Sequence, residues 1–574
     1  MKKTDEKTHT GLRTAIRVLI WLVPMLLLAG TGLAAGSAAD ELSFVWETDG
    51  CRLSITLTEK KDGSLTLFLP GSCDGLLRVR LNGSDSIRWQ GQTMKNGDVQ
   101  DFSRWIGTES EVFFPDTGKT FRIQIMRGSE IPALFFRISE DDLKRIHGNK
   151  NLDIRGDAAL IMLDASGTAE VSDSLTSFHM HGNSTVFGQK KPYQFKLARK
   201  ASLGGMGKGK TWMLLANWFD ISLIRNQMTY DLCREMGLSG TPDCRQADVW
   251  INGAYNGTYL LTEKIQLKKD RLEITNMEDR LEELNGEALS GAARKASSGK
   301  PVNILHYFDV REPEDVTGGF LLEIEKALHF SQNKEDAGFV TDGRMCVVVK
   351  EPSQPGPEAV KYIAGLVNDF HNAVLSKNGI NPATGKYYSE YMDMHSFAAK
   401  IIVEEFSANY DVRAGSQFLY KDSSLVDDKL YAGPGWDYDL TYGNKEDGVR
   451  NPLKKDFVYT RSNDTSQLYH YLLTHSDFTA YTRKVFEEEL VPAGEILLGL
   501  REAPAGSQLK SIRTYRAEIR DSAAMNFTRW NAKTVADITD SSGRTFEDAG
   551  NYLEDWVRQR FGMLREYWLL PDPQ

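Results

Sequence analysis

The sequence is poor in cysteine, with five among 574 residues, and none of them forms a CxxC pair or a Cys/His pattern with zinc-ligand spacing. A disulfide framework and a zinc module are therefore excluded. One or two disulfides stay open, Cys51 with Cys73 and Cys233 with Cys244, which would leave Cys346 unpaired. Five free thiols are the equal alternative.

Basic residues are also fewer than acidic ones. The chain has 69 Lys and Arg residues against 79 Asp and Glu residues, which gives a formal net charge of −10. Because nonspecific binding to DNA or RNA needs basic surfaces, the composition argues against nucleic acid as a partner. A basic protein partner suits this charge better.

Long apolar runs are confined to the N-terminus. Residues 18–28 are apolar, follow several Lys and Arg residues, and precede small residues up to Ala39. This order predicts a signal peptide over residues 1–39, a mature chain beginning near Asp40, and a secreted or cell-surface protein that meets the membrane only through this segment. The alternative is an uncleaved anchor.

Residues 40–170 alternate polar and apolar side chains in short runs, such as 53–58 and 64–69, with turn residues such as Asp62-Gly63 between them. A period of two is typical of antiparallel strands joined by hairpins. We predict a β-rich, sandwich-like accessory domain over residues 40–170.

The pattern changes near Val171, where strands begin to alternate with helices. Residues 221–236 have the apolar spacing of a helix, and Asn252-Gly253 separates two strands as in a type I′ hairpin. Residues 276–317 are polar and predict a surface loop or short helix. Residues 445–574 predict further helices, so the fold class is α+β.

The densest polar pattern lies in residues 433–444. Asp437 and Asp439 are two positions apart, so an extended segment would point both to one side, and Asn409 and Asp411 precede them at a helix end. Carboxylate and amide oxygens suit Mg²⁺, which commonly binds phosphates as well. The alternative is a turn in which the acids cap backbone amides.

A second pattern is a turn of small and hydroxyl residues followed by lysines. It comprises Gly182, Asn183, Ser184, Thr185, Lys191 and Lys196. Such turns let backbone amides approach a phosphate, and a lysine on the next strand supplies positive charge. The spacing matches neither the Walker-A nor the GxGxxG motif, and an ordinary hairpin with a solvated face is the alternative.

Together the motifs resemble the spore-coat protein H (CotH) kinase family over residues 171–444. The motifs are GNST (182–185), KPYQFKL (191–197), WMLLAN (212–217), LIRN (223–226), DVWINGAYNGTYLLTE (248–263), GGFLLE (318–323), NYD (409–411) and GPGWDYD (433–439). Two departures are His181, where the resemblance leads us to expect Arg, and Asn256, in place of an aromatic residue. Neither departure replaces an acidic residue of the motifs.

The resemblance implies an atypical protein-kinase-like, two-lobed domain, with residues 171–444 as its core and 445–574 completing the helical lobe. It implies ATP with Mg²⁺ or Mn²⁺ as cofactors. The implied reaction is transfer of the γ-phosphoryl group to Ser or Thr of an extracytoplasmic or spore-coat protein, which we expect to be Ser-rich and basic.

The resemblance also implies roles for the site residues. The turn at residues 182–185 would cover the phosphates and Lys191 or Lys196 would pair with them. Asp411, beside Asn409, would orient or deprotonate the acceptor hydroxyl. Asp437 would hold the metal, with Asp439 as its neighbour.

Two further residues have open roles. Arg225 would contact a phosphate or an acid and Glu263 would anchor a lysine, although a structural ion pair is an equal interpretation. The main alternative function is a noncatalytic surface or coat assembly protein with a kinase-like scaffold. The third is a carbohydrate-active or adhesive protein that acts through its β-rich domain.

Overall fold

The computed structural model describes residues 41–60, 62–299, 302–413, 415–445, 451–454, 459, 465–531 and 544–569. The signal peptide expected over residues 1–39 lies outside these ranges. Within them, none of the helices combines the length and the apolar character needed to cross a membrane.

Two facing sheets form the first part of the described chain. Their strands are β1 (Leu42–Thr48), β2 (Cys51–Thr56), β3 (Thr58–Glu59), β4 (Leu65–Leu69), β5 (Leu76–Leu81), β6 (Ser86–Trp89), β7 (Gln92–Lys95), β8 (Val99–Asp101), β9 (Glu109–Phe114) and β10 (Lys119–Arg127). One sheet has the order β2-β1-β5-β8 and the other β3-β4-β10-β9-β6-β7. Alternate residues of β1 are buried, and the apolar faces of both sheets share one core, in which the rings of Phe44, Trp89 and Phe102 meet edge to face.

A closed barrel follows the sandwich. Its strands are β11 (Ala133–Arg137), β12 (Ala158–Leu163), β13 (Ala169–Met180), β14 (Tyr193–Ala201), β15 (Gly209–Leu215), β16 (Cys244–Ile251) and β17 (Ala254–Glu263), and its helices are α1 (Glu140–Gly148) and α2 (Arg225–Glu235). The order is β11-β12-β13-β14-β15-β17-β16, closed by parallel pairing of β11 with β16. The boundary expected at residue 170 therefore falls inside the barrel, because β11 and β12 pair with later strands and not with the sandwich.

The hairpin between β16 and β17 has the predicted turn. Asn252 and Gly253 have φ angles of 52° and 85°, and Ile251 pairs with Ala254 across the turn. Two consecutive positive φ angles define type I′, whose twist matches that of the flanking strands, so the prediction is confirmed.

A second large sheet follows, with strands β18 (Arg294–Gly299), β19 (Val302–Phe308), β20 (Phe320–Glu325), β21 (Gly338–Val340), β22 (Cys346–Glu351), β23 (Gln417–Lys421) and β24 (Leu430–Ala432) in the order β18-β19-β21-β22-β20-β23-β24. The expectation of a loop or short helix over residues 276–317 is wrong for β18 and β19. The edge strand β18 is largely exposed, so its sequence is polar, and β19 buries only Val302, Leu305 and Phe308.

The remaining helices are α3 (Met277–Asn285), α4 (Ala327–Gln332), α5 (Pro357–Leu375), α6 (Met394–Ser407), α7 (Gln467–Leu472), α8 (Ser476–Val485), α9 (Val491–Leu497), α10 (Ile512–Glu518), α11 (Arg520–Arg529) and α12 (Phe546–Leu569). All but α4 contribute to the largest core, which they share with α2 and the seven-stranded sheet, whereas Phe330 of α4 packs in a small separate cluster. All five cysteines are free thiols, which agrees with the alternative that the sequence left open beside one or two disulfides. Cys233 lies in the largest core, with Sγ 3.5 Å from the Tyr438 hydroxyl.

Helix α11 returns to the barrel and meets a buried carboxylate. Asp248 of β16 accepts hydrogen bonds from the hydroxyls of Tyr255 (2.9 Å), Thr258 (2.8 Å) and Ser522 (2.6 Å). The Ser522 hydroxyl also accepts a bond from the backbone N–H of Ser129, in the segment that leaves the sandwich. One carboxylate therefore connects the barrel, the C-terminal helices and the sandwich linker.

We predict that Asp248→Ala lowers the free energy of unfolding by about 3 kcal/mol or more, because three buried hydroxyls lose their acceptor at a cost of about 1 kcal/mol or more each. The control Tyr255→Phe removes one partner and should cost about 1 kcal/mol. Denaturant unfolding of the purified proteins measures both. Equal losses for the two variants would contradict the central role of the carboxylate.

Candidate functional site

A cleft of about 740 Å³ lies between the barrel and the seven-stranded sheet. The barrel contributes the turn after β13 and the outer face of β15. The sheet contributes β20 and the start of β23, and the segments around Asp411 and Asp437 complete the lining.

Asp411 is positioned by the end of α6. The helix stops at Ala408, which has a left-handed φ of 46°, and the Asn409 N–H then bonds the Glu404 carbonyl at 3.1 Å. The Asn409 side chain is buried, and its Oδ1 accepts the Asp411 N–H at 2.9 Å. Asn409 therefore holds the Asp411 backbone and does not line the cleft.

Asp437 and Asp439 enter the cleft from a loop that hydrogen bonds to the protein core on its other side. Tyr438, between them, lies in the core, where its N–H bonds Asn226 Oδ1 at 2.8 Å and its hydroxyl bonds Glu404 Oε1 at 2.9 Å. Asp437 has a φ of 68°, a left-handed conformation that is uncommon for residues with a Cβ and concentrates at functional sites.

The three carboxylates meet. Ligand atoms of Asp411, Asp437 and Asp439 all lie within 4.8 Å of one another. Burial raises the pKa of Asp411 to about 7, with repulsion from Asp437 adding to the increase. Burial, followed by repulsion from Glu323, raises the pKa of Asp437 to about 6. Burial raises the pKa of Asp439 well above its usual range, and both other acids add to the increase.

This donor set fits a divalent cation. It offers only oxygen atoms, the ligands that Mg²⁺ and Mn²⁺ prefer. Asp439 is 6% exposed, and no donor in the described part of the chain bonds its carboxylate. A cation would relieve the repulsion between the three acids and occupy this buried acceptor.

The Gly182, Asn183, Ser184 and Thr185 turn lies on the barrel side of the same cleft. Gly182 has a φ of 101°, and a Cβ there would lie 2.7 Å from Thr185 Oγ1, so the tight turn requires glycine. The structure therefore brings the turn and the three acids to one cavity.

The structure brings neither predicted lysine into the cleft lining. Lys191 Nζ donates to the Val186 carbonyl at 2.7 Å, so this lysine stabilises the turn from behind. Lys196 is exposed on β14, opposite Thr211 of β15. This geometry does not support a direct phosphate contact for Lys191. Lys196 does not line the cleft, but it lies on the same outer face of the barrel as Met213 and its charge adds to the decrease that burial causes in the pKa of Lys264, so its phosphate contact stays a prediction.

Arg225 and Glu263 also lie outside the cleft, and the interpretation as structural ion pairs fits both. Arg225 pairs with Asp220 at 2.5 Å, and both side chains are 1% exposed. Its Nε bonds the Thr441 carbonyl at 3.1 Å, so it supports the loop that carries the acids. Glu263 pairs with Arg271 at 2.5 Å and lines a separate cavity.

Sequence reasoning missed Lys264, the residue that follows β17. Trp212 and Leu214 face the barrel interior, whereas Met213 lines the cleft and pairs with Thr262 of β17. Two positions after Thr262, Lys264 falls on the same outer face and lines the cleft. Burial lowers its pKa, and the Glu351 carboxylate opposes this decrease. Because side chains alternate between the two faces of a strand, placing Thr262 on the outer face would have placed Lys264 there as well.

The cleft thus combines a candidate divalent-cation centre with a glycine turn and a half-buried lysine. A family model described as CotH kinase protein matches residues 178–564. The chain belongs to the CotH kinase family. Membership indicates a kinase-like protein associated with the spore coat, and kinases as a class use ATP with a divalent metal. A search of curated proteins finds no match.

We predict that Mg²⁺ or Mn²⁺ stabilises the protein more at about pH 8 than at about pH 5, because the raised pKa values leave the acids protonated at low pH and the metal must displace those protons. Without metal, the protein itself should become less stable as the pH rises from about 5 to about 8. An acid with a raised pKa loses its stabilising contribution as pH rises through that value. Thermal unfolding at both pH values, with metal and with chelator, measures this, and a metal effect independent of pH would contradict it.

Proposed function

We propose that the chain is an exported atypical protein kinase that transfers the γ-phosphoryl group of ATP to Ser or Thr of an extracytoplasmic or spore-coat protein. The observation that carries the proposal is the meeting of Asp411, Asp437 and Asp439 in one cleft with the Gly182 turn. Family membership supports it.

The arrangement of the fold supports a two-lobed kinase. The barrel with α1 and α2 would be the strand-rich lobe, and the seven-stranded sheet with the later helices would be the larger lobe. The chain passes between them at Lys264, directly after β17, and the cleft lies at this passage. Nucleotide sites of kinases lie between two such lobes.

In this proposal the three acids have different roles. Asp437 and Asp439 would hold Mg²⁺ or Mn²⁺, which supplies charge neutralisation on the phosphates when bound. Asp411 would accept a hydrogen bond from the acceptor Ser or Thr hydroxyl and take its proton. The hydroxyl oxygen forms a bond to the γ-phosphorus as the bond to the bridging oxygen of the β-phosphate breaks, and ADP leaves.

The barrel side of the cleft would hold the nucleotide phosphates. The Gly182 turn and Lys264 line the cavity on this side, so the backbone amides of the turn and the ammonium of Lys264 would bind the phosphates. Lys264 on this side and a cation held by the acids on the other would both neutralise the phosphates.

Two glutamates beside Asp411 support a basic, Ser-rich protein substrate, which would compete with their present partners, Lys350 for Glu323 and His329 for Glu325. A Cβ at Gly415 would lie 3.3 Å from Glu325 Oε1 and 3.5 Å from Glu323 Oε1, so two carboxylates lie against the segment that follows Asp411. The net charge of −10 favours the same partner. A noncatalytic coat assembly protein is the alternative, and the assays below separate the two.

We predict that Asp411→Asn lowers phosphoryl transfer by about a hundredfold or more while nucleotide binding persists, since a group that takes the acceptor proton acts in the transition state. Asp437→Asn should weaken metal-dependent nucleotide binding as well. Labelled-phosphate transfer to a basic Ser-rich protein and calorimetric ATP affinity measure the two effects. No transfer by the wild-type protein would favour the noncatalytic alternative.

We predict that Lys264→Met weakens ATP binding by about tenfold or more, because it removes a charged phosphate contact. Lys191→Met is the matched control, since its ammonium bonds a backbone carbonyl behind the turn and its loss should affect ATP binding much less. Calorimetry with ATP and Mg²⁺ decides. A larger loss for the Lys191 variant would restore the original expectation.

A further inference from the structure

The tetrapeptide Arg-Lys-Ala-Ser occurs twice in the chain. The first copy, residues 199–202, lies at the end of β14, and the second, residues 294–297, lies in β18 and is followed by Ser298. A serine close to basic residues is the acceptor that suits the proposed kinase. The chain therefore carries two acceptor sequences with identical local chemistry, and only their surroundings distinguish them.

The first copy is fixed to the barrel. Ser202 is half-buried, and its hydroxyl donates to the Met206 carbonyl. Leu203, the next residue, is buried in the barrel core. Moving Ser202 into the cleft of another molecule would break this hydrogen bond and bring Leu203 into water. The first copy is therefore a poor acceptor.

The second copy is accessible, because β18 is the edge strand of its sheet and pairs with β19 alone. None of the six β18 residues is buried, and both Ser297 and Ser298 are exposed. Arg294 holds the start of the strand by donating to the Asp336 carbonyl at 2.8 Å. Ser297 pairs with Leu305, and the register shifts directly after it. This end of β18 can separate from β19 without removing a β18 side chain from the core.

The basic side of the second copy suits the acidic side of the cleft. Lys295 is half exposed, and it pairs with Asp309 at 4.0 Å, which is itself mostly exposed. Such an ion pair contributes little to stability, so Lys295 can exchange it for another carboxylate. Glu323 and Glu325 line the cleft beside Asp411 and offer two carboxylates.

The order of the sheet decides which molecule would act on these serines. Asp411 lies in the segment that leads into β23, and β19, β21, β22 and β20 separate β18 from β23. Neighbouring strands are about 4.8 Å apart, so β18 lies about 24 Å from β23 across the sheet. Transfer within one chain would need far more than the end of β18 to move. The acceptor and the acting kinase are therefore two copies of the chain.

We propose that the Ser297-Ser298 pair of β18 is a phosphorylation site that a second copy of the chain modifies. This inference rests on the proposed kinase function. A serine oxygen of β18 forms a bond to the γ-phosphorus of the ATP that the second copy binds, and the bond from that phosphorus to the bridging oxygen of the β-phosphate breaks. The hydroxyl proton passes to Asp411 of the second copy, and ADP leaves.

The test compares the two copies of the tetrapeptide in one digest. The full chain is incubated with ATP and Mg²⁺ and cut with trypsin, and mass spectrometry measures the phosphate on each peptide. In peptide 201–208 the only Ser or Thr residue is Ser202. In peptide 296–311, whose internal lysine precedes a proline and is not cut, the only ones are the Ser297-Ser298 pair.

A mixed assay establishes that the reaction runs between two molecules. The acceptor is the Asp411→Asn variant, which keeps both serines and should not transfer phosphate. The kinase is the double variant Ser297→Ala/Ser298→Ala, which cannot be labelled at this site. The double variant should phosphorylate an added basic, Ser-rich protein as fast as the wild-type protein does, because neither serine lines the cleft.

We expect phosphate on peptide 296–311 of the Asp411→Asn acceptor only when the double variant is present. In the wild-type protein this peptide should carry about tenfold or more phosphate than peptide 201–208, since Ser202 must first give up a hydrogen bond. Equal phosphate on both peptides would overturn the inference. So would an unlabelled peptide 296–311 in a preparation that phosphorylates the added protein, or labelling whose rate per molecule does not rise with protein concentration. A wild-type protein that phosphorylates neither itself nor the added protein would overturn the proposed function itself.

Discussion

The repulsion between three carboxylates, one buried and two half-buried, is the constraint on which the rest of the site depends. Asp411, Asp437 and Asp439 approach within 4.8 Å, and each would be more stable apart and in water. A flexible loop would relax and separate them. The frame that carries them must therefore be rigid before any ligand binds, and its hydrogen bonds provide that rigidity.

Glu404 joins the two segments of this frame. Its carbonyl accepts the Asn409 N–H, which places the turn before Asp411, and its carboxylate accepts the Tyr438 hydroxyl between the other two acids. Lys400, one helical turn earlier and equally buried, balances its charge at 2.5 Å. One buried ion pair thus connects the segment that carries Asp411 with the loop that carries Asp437 and Asp439. Breaking such a pair leaves an uncompensated buried charge.

The predictable parts of the molecule were those set by short-range rules. Asn252-Gly253 determines its own turn. Asp437 and Asp439 do reach one cleft, but from a loop in which Asp437 is left-handed and not from the extended segment that their spacing suggested. The barrel boundary was not predictable, since β11 pairs with β16, more than a hundred residues later. Lys191 and Lys264 show the same limit, because local sequence shows a lysine near a strand, whereas only the closed barrel decides which lysine faces the cleft.

The C-terminal helix belongs to the frame of the site, and this gives a physical reason for a family match that extends to residue 564. Arg560 of α12 donates through Nη2 to the Glu405 carbonyl at 2.7 Å, at the end of the helix that positions Asp411. Tyr552 of the same helix donates to the Gly443 carbonyl at 3.2 Å, beyond the loop of Asp437 and Asp439. Helix α12 therefore supports both acid-bearing segments from behind.

The sandwich meets the barrel on another side, through the Thr56 N–H and the Gly253 carbonyl, and no sandwich residue lines the cleft in the described chain. Helix α12 contacts both acid-bearing segments, whereas the core of the sandwich packs against the outer face of the barrel at Phe135, Trp250 and Tyr255.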